Sequence, residues 1–266
     1  KGSYVEYFID VQQLQVTHQY GDAQLIGDIS LNDDYPMTID AEFNLHNVAE
    51  IPHLTNQTLL IQAENGFDDL AVKASAAGDI NIDFEALVAL SKPEMSYQLE
   101  VAKADLKWPL NKPEYFAKVD KLTSKGDIDN QSVIFTAELL SPFHPLLDVD
   151  TNISYGQEQL TVSHIKVESE AGNIKGNGLV SFADDLSWQA ELETENLQLE
   201  KVSYLYQLTN LASDINGKLA TKGTIGDDSW EINVADADLN GSLNDFPLTV
   251  SGNIEFNHLL AINAHD

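Results

Sequence analysis

Period-two alternation of apolar and polar residues runs through nearly the whole chain, and no other feature narrows its fold as much. Successive side chains of a β-strand point to opposite faces, so an alternating run is a strand with one apolar and one polar face. Met37, Ile39, Ala41, Phe43 and Leu45 alternate with Thr38, Asp40, Glu42, Asn44 and His46. Leu70, Val72, Ala74, Ala76, Ile80 and Ile82 do so with Lys73, Ser75, Asp79 and Asn81. Val133, Phe135, Ala137 and Leu139 repeat the pattern, as do Leu147, Val149, Ile153 and Tyr155 against Asp148, Asp150 and Asn152. Trp188, Ala190 and Leu192 follow, then Trp230, Ile232 and Val234, and finally Leu248, Val250, Ile254 and Phe256 against Thr249, Ser251, Asn253 and Glu255.

Short punctuators separate the runs, among them Asn65-Gly66, Tyr155-Gly156-Gln157, Ala171-Gly172-Asn173 and Asn244-Asp245. They supply hairpin-turn chemistry, and the gaps are too short for the crossovers that parallel strands need. The chain is therefore expected to be all-β and antiparallel. Two stretches depart from the pattern. Residues 83–91 carry Phe84, Leu87, Val88 and Leu90 at helix-like spacing, which predicts a short helix or turn ending before Pro93. Residues 196–212 read the same way, with Val202, Leu205, Tyr206 and Leu208 as the apolar side. Both are expected to plug a sheet end, the sharper alternative being a movable lid.

About eighteen strands side by side, at roughly 4.8 Å each, would extend on the order of 85 Å. Strand twist keeps so long a sheet from lying flat, and curling toward the apolar side makes an open trough with an acidic outside. The alternation is equally compatible with a β-sandwich whose two apolar faces cover each other. Gly-rich openings recur at Gly172 to Gly178 and Gly217 to Gly223, but no fixed period carries through, which argues against a strict β-helix.

Composition removes several function classes. The 43 acidic residues face 14 basic ones, all lysine, for a net charge of -29. Phosphate neutralisation and bidentate base reading both want the opposite balance, so nucleic acid is excluded as a partner. With no cysteine there is no disulfide, thiolate metal site or thiol nucleophile. The seven histidines lie scattered, without the spacing that places two metal ligands on one helix or strand face. Asp236 to Gly241 resembles the first half of a calcium loop, yet its twelfth position is Pro247 rather than glutamate. Pairs such as Asp148 and Asp150 invite a glycosidase reading, but so many carboxylates pair by chance. The expectation is a chain without catalytic residues, metal or cofactor.

Three motifs carry a family resemblance: Leu106-Lys107-Trp108-Pro109-Leu110; Ser187-Trp188-Gln189-Ala190-Glu191-Leu192; and Ile215 to Ile225 followed by Ser229-Trp230-Glu231-Ile232. In order and spacing the stretch from Leu99 to Phe256 resembles the middle region of the TamB family, within the wider AsmA-like bridge proteins of bacteria. In residues 1 to 95 the resemblance is looser and periodicity carries the reading. Lys222 stands where relatives often have arginine. The resemblance implies a β-taco-like fold, a long curled antiparallel sheet whose groove is open and hydrophobic. It implies a place in the periplasm, within a protein anchored in the inner membrane of a Gram-negative bacterium. It also implies phospholipid carriage between the membranes and an outer-membrane barrel partner, TamA, met through a C-terminal part expected outside this chain. The family's other attributed function is outer-membrane protein assembly, as scaffold or chaperone.

Residues 1–266 are thus expected to form one continuous, repetitive groove segment, an internal fragment of a longer bridge. Phospholipid acyl chains would lie against Met37, Ile39, Phe43, Leu70, Val72, Ile80, Val133, Phe135, Leu139, Val149, Ile153, Trp188, Leu192, Trp230, Ile232, Val234, Leu248, Val250, Ile254 and Phe256.

Overall fold

The computed structural model describes residues 7–31, 34–46, Leu54, 56–183, 185–202, 212–226 and 229–259, with backbone only at the last two positions. The strands are β1 (Phe8–His18), β2 (Gly21–Ser30), β3 (Met37–Leu45), β4 (Gln57–Asn65), β5 (Leu70–Gly78), β6 (Asn81–Val88), β7 (Tyr97–Trp108) and β8 (Tyr115–Gly126). They continue as β9 (Gln131–Ser141), β10 (His144–Tyr155), β11 (Gln159–Ser169), β12 (Gly172–Ser181), β13 (Leu186–Leu197), β14 (Ser213–Ile225), β15 (Ser229–Leu243) and β16 (Phe246–Leu259). Each is hydrogen-bonded to its neighbours in sequence, giving one open antiparallel sheet in the order β1 to β16. Among the described residues there are sixteen strands rather than about eighteen.

Two compact units divide this sheet. The first is Lys1–Gln131 with Thr136–Glu138; the second is Ser132–Phe135 with Leu139–Asp266. Among the described residues of each, strands pack against their sequence neighbours and no second sheet lies over either face, so they form no closed sandwich. The accessible surface is 17412 Å², where a compact domain of this mass would keep roughly 11,500 Å². Buried apolar side chains are accordingly few and mostly small, such as Ala41, Ala74, Ala104, Ala137 and Ala237, with Leu54, Val101 and Val119 the larger ones. On an open face, small side chains flanked by larger neighbours lose their water most readily.

Residues 83–91 are not a helix. β6 runs through Val88, with Ile82, Phe84, Ala86 and Val88 opposite Ala76, Ala74, Val72 and Leu70 of β5. Leu87 and Leu90 created the helical spacing, but both are exposed. An open sheet tolerates a leucine on its outer face, so extra apolar residues mimic an i, i+3, i+4 pattern without forming one.

In the 196–212 stretch, β13 ends at Leu197 and a single 3-10 turn follows at Leu199–Lys201. The Leu199 N–H donates to Ser213 Oγ (2.7 Å), the Ser213 N–H donates to Glu200 Oε2 (2.8 Å) and Lys201 Nζ donates to the Glu170 carbonyl (2.9 Å). The departure from the sheet is thus tied back onto β14. Leu205, Tyr206 and Leu208 lie outside the described residues.

Candidate functional site

Directly opposed residues of an antiparallel pair share a face, so the register follows one face across many strands. In the first unit Ala23, Phe43, Leu59, Ala76, Ile82, Ala104 and Val119 form one unbroken apolar row from β2 to β8. Beside it runs the row Leu25, Ala41, Ile61, Ala74, Phe84, Val101 and Leu122. In the second unit Tyr155, Leu160, Val180, Trp188, Gly223, Ile232 and Phe256 do the same from β10 to β16. The row Val149, Val167, Ile174, Thr194, Gly217, Leu239 and Val250 lies parallel to it.

Most of the residues expected from alternation fall on these faces. Met37, Ile39, Phe43, Leu70 and Val72 share the apolar face of the first unit. Val149, Ile153, Trp188, Leu192, Trp230, Ile232, Val234, Leu248, Val250, Ile254 and Phe256 share that of the second. Val133, Phe135 and Leu139 lie on one side of β9 with the buried Ala137. Ile80 is different: it precedes β6, in a turn where its N–H donates to Gln57 Oε1 (2.9 Å) and its carbonyl accepts from Gln57 Nε2 (2.8 Å). Sequence reading missed Leu59, Ile61, Phe84 and Val101. Leu59, Ile61 and Ala63 do alternate, and that run was the available signal.

The glycines give the face its relief. Eleven of them, at 21, 27, 78, 126, 172, 176, 178, 217, 223, 241 and 252, stand in strands, and the register puts every one on the apolar face. At Gly223 a methyl group would sit 2.5 Å from the Glu231 carbonyl oxygen and inside contact distance of the Trp188 ring. The indole therefore lies across Gly223. At Gly217, where φ is +132°, a methyl group would collide with the Asp238 carbonyl. At Gly217 the positive φ turns a would-be Cβ along the sheet into the next strand, and at both points glycine is the residue that leaves the neighbouring backbone room.

Charges occupy the other face, as parity requires. In the first unit this polar face also holds a hollow of about 640 Å³ lined in part by Asp40, Glu42, Gln62, Lys73, Glu85 and Glu100. The expectation that carboxylates sit on a uniformly outward-bulging face needs that correction. A twisted sheet is saddle-shaped and can be creased toward one face while hollow on the other. Lys73 pairs with Glu85 at 3.3 Å and Gln62 donates to Asp40 at 2.7 Å.

The second unit carries a charged row across six strands: Asp150, Lys166, Lys175, Glu193, Lys218 and Asp238. Lys175 lies 3.3 Å from Glu193 and 3.5 Å from Glu195, and the hydrogen bond to Glu193 holds its ammonium above the usual lysine range. The hydrogen bond to Glu138 does the same for Lys118. In the turn after β8, backbone N–H groups of Asp129 and Asn130 donate to Asp127 and hold its carboxyl below the usual range. All three groups are exposed. Among the described residues no cluster of histidines and carboxylates has metal-binding geometry. No helix there is long and apolar enough to cross a membrane.

The whole chain, residues 1–266, matches the family described as "TamB, N-terminal domain". The likeness therefore reaches through the first 95 residues, and the matching region is described as the family's N-terminal domain rather than its middle. "Translocation and assembly module subunit TamB" of Haemophilus influenzae is 21% identical over 270 residues, covering 98% of this chain and 20% of that protein. The chain thus spans about a fifth of that relative's length. No solved structure matches.

Proposed function

Starting from a chain that belongs to the TamB N-terminal domain family, we propose that it is a segment of a periplasm-spanning bridge that carries phospholipids between inner and outer membranes along its apolar face. The parent protein would be anchored in the inner membrane of a Gram-negative cell, and other parts of it would meet the outer-membrane barrel TamA. The segment itself acts without catalysis. One observation carries the reading: unbroken apolar rows cross seven strands in each unit, with large side chains such as Phe256 at 50% exposure and no second sheet over them among the described residues. An acyl chain on such a face is favoured by up to about 0.8 kcal/mol for each methylene it removes from water. The rows repeat the same weak contact many times, which suits sliding better than trapping.

The test uses strand parity. Ile232 lies on the apolar face between Gly223 and Phe256, while Asn233 lies on the polar face between Lys222 and Glu255. Both side chains are half-buried rather than enclosed, so both variants should still fold and melt cooperatively, Ile232→Asp somewhat below wild type and Asn233→Asp near it. Only Ile232→Asp should lower lipid co-purifying with the chain. A folded Ile232→Asp protein with undiminished lipid would sink the conduit reading.

A second reading is favoured by the sheet edges: β1 and β16 each pair on one side only among the described residues. An open edge is what a scaffold needs to accept a strand of a client barrel by β-augmentation. Preparations that carry no lipid but retain an extended outer-membrane strand peptide would select it.

A further inference from the structure

The β7–β8 hairpin departs from the rest of the molecule in charge and exposure. In a chain of net charge -29, residues 97–126 hold six of the fourteen lysines against four carboxylates. Lys103 and Lys118 are engaged by carboxylates. Lys107, Lys112, Lys121 and Lys125 make no ion pair among the described residues.

Two of these four sit at the tip, beside aromatic rings. Trp108 ends β7 directly opposite Tyr115, which begins β8. Trp108 is 50% exposed and Tyr115 41%, whereas Trp188 and Trp230 are half-buried. The pair continues the apolar face: the next apolar positions inward are Leu106 and Ala117, also opposite each other, then Ala104 and Val119. Lys107 projects to the polar side between Leu106 and Trp108, and Lys112 lies exposed in the connecting loop. Glu114 is the sole carboxylate between β7 and β8.

We propose that this tip is a head-group station, where Lys107 and Lys112 take the phosphate-bearing head of an anionic phospholipid whose chains enter the apolar face past Trp108 and Tyr115. The inference rests on the lipid-carrying reading and adds a place and a preference to it. Charge complementarity selects the occupant. Most of the chain repels anions, and the one hairpin with a cationic surplus ends at the border of the apolar face. Trp and Tyr are apolar rings with a polar handle, which suits the ester zone between acyl chain and head group. A lysine stem lies along apolar surface while its ammonium reaches water or phosphate. At cellular ionic strength screening acts over about 8 Å, so the local cations are felt despite the chain's net charge.

The experiment incubates the full chain with vesicles of equimolar phosphatidylglycerol and phosphatidylethanolamine, re-isolates it and measures both lipids by mass spectrometry. Wild type should retain phosphatidylglycerol in excess. The doubly substituted Lys107→Gln, Lys112→Gln chain should keep a similar total, with the phosphatidylglycerol excess reduced about fivefold or more, on the scale of one lysine near an anionic lipid surface. A charge-matched control, Lys218→Gln with Lys222→Gln on β14, should retain the wild-type ratio. Trp108→Ala with Tyr115→Ala should lower the total. An unchanged ratio in the hairpin variant, or an equal fall in the control, overturns the station while leaving lipid carriage standing. A wild-type chain that retains no lipid overturns both.

Discussion

Gly223→Ala is the smallest change that asks whether β15 crowds β14 beside Trp188. The added methyl would meet the Glu231 carbonyl oxygen at 2.5 Å and also the Trp188 ring. The ring, half-buried rather than enclosed, can swing out. The carbonyl cannot, because β15 is held in register through Ile232 and its neighbours. Forcing a methyl into a filled site costs typically 1–3 kcal/mol, against about 0.4–1 kcal/mol recovered by restricting the unfolded chain. The net, about 1–2 kcal/mol, is worth on the order of 5 °C in a unit of this size. Gly178 is the control, on the same face of β12: there a methyl would meet the Gln189 carbonyl oxygen at 3.1 Å and the Ala190 Cβ at 3.3 Å, tight but accommodated by small shifts. Gly178→Ala should melt within a degree or two of wild type. Trp188→Ala placed on top of Gly223→Ala should relieve only the ring's share of the clash. Paired circular-dichroism melts decide it. If Gly223→Ala and Gly178→Ala melt together, β15 does not crowd β14 at Gly223.

Further outcomes follow from the polar face and from β6. Leu87 is 44% exposed on the polar side of β6 while Phe84 lies between Ala74 and Val101, so Leu87→Gln should stay within about 0.5 kcal/mol of wild type and Phe84→Gln should not. Equal effects in denaturant titrations would contradict the strand assignment. Raising the salt concentration at low protein concentration should raise the melting temperature by screening carboxylate repulsion; a flat or falling curve would refute it. The depressed Asp127 carboxyl gives a contribution present above the ordinary aspartate value and lost as pH falls through its folded value. An NMR titration should place its midpoint below that of an unstructured peptide. Lys175 has the opposite sign: its pairing with Glu193 is complete below the ordinary lysine value and is lost as pH rises through the folded one. Lys175→Ala should therefore blunt the alkaline loss of stability, and an unchanged alkaline limb would count against the pair.

Strand identity and antiparallel order were legible because a half-covered sheet writes its parity into every second residue. Phe43, Trp188 and Ile232 could be assigned to a face from their neighbours alone, and register then confirmed the assignment strand by strand. The same openness hid β6. In a sandwich core an exposed Leu87 would be conspicuous, but here Leu60, Leu87 and Ile26 all sit on the outer face, and the apolar signal loses its strict period. Ile80 failed for a different reason. Alternation gives phase, not length, and the strand stops one residue short because Gln57 caps the turn with both side-chain atoms. The close strand approaches at the glycines were invisible at the sequence level, since a glycine in an alternating run looks like a missing side chain. Only the register reveals that all eleven strand glycines stand on one side.

An exposed apolar face in a folded chain has to be kept from closing on another. Two such faces in solution would close on each other, by the same burial that favours an acyl chain. Net charge opposes this at long range: 43 carboxylates against 14 lysines in the whole chain keep copies apart before their apolar faces meet. Lysines do not weaken this much, since Lys73, Lys118, Lys166, Lys175 and Lys218 are held beside carboxylates of the same face. These pairs are exposed and each is worth little in stability. Their arrangement in rows instead resists register slip, since moving a strand by one residue would turn its charges onto the apolar face and its leucines and valines onto the charged one. Repulsion and register thus each block a different way of covering this face wrongly.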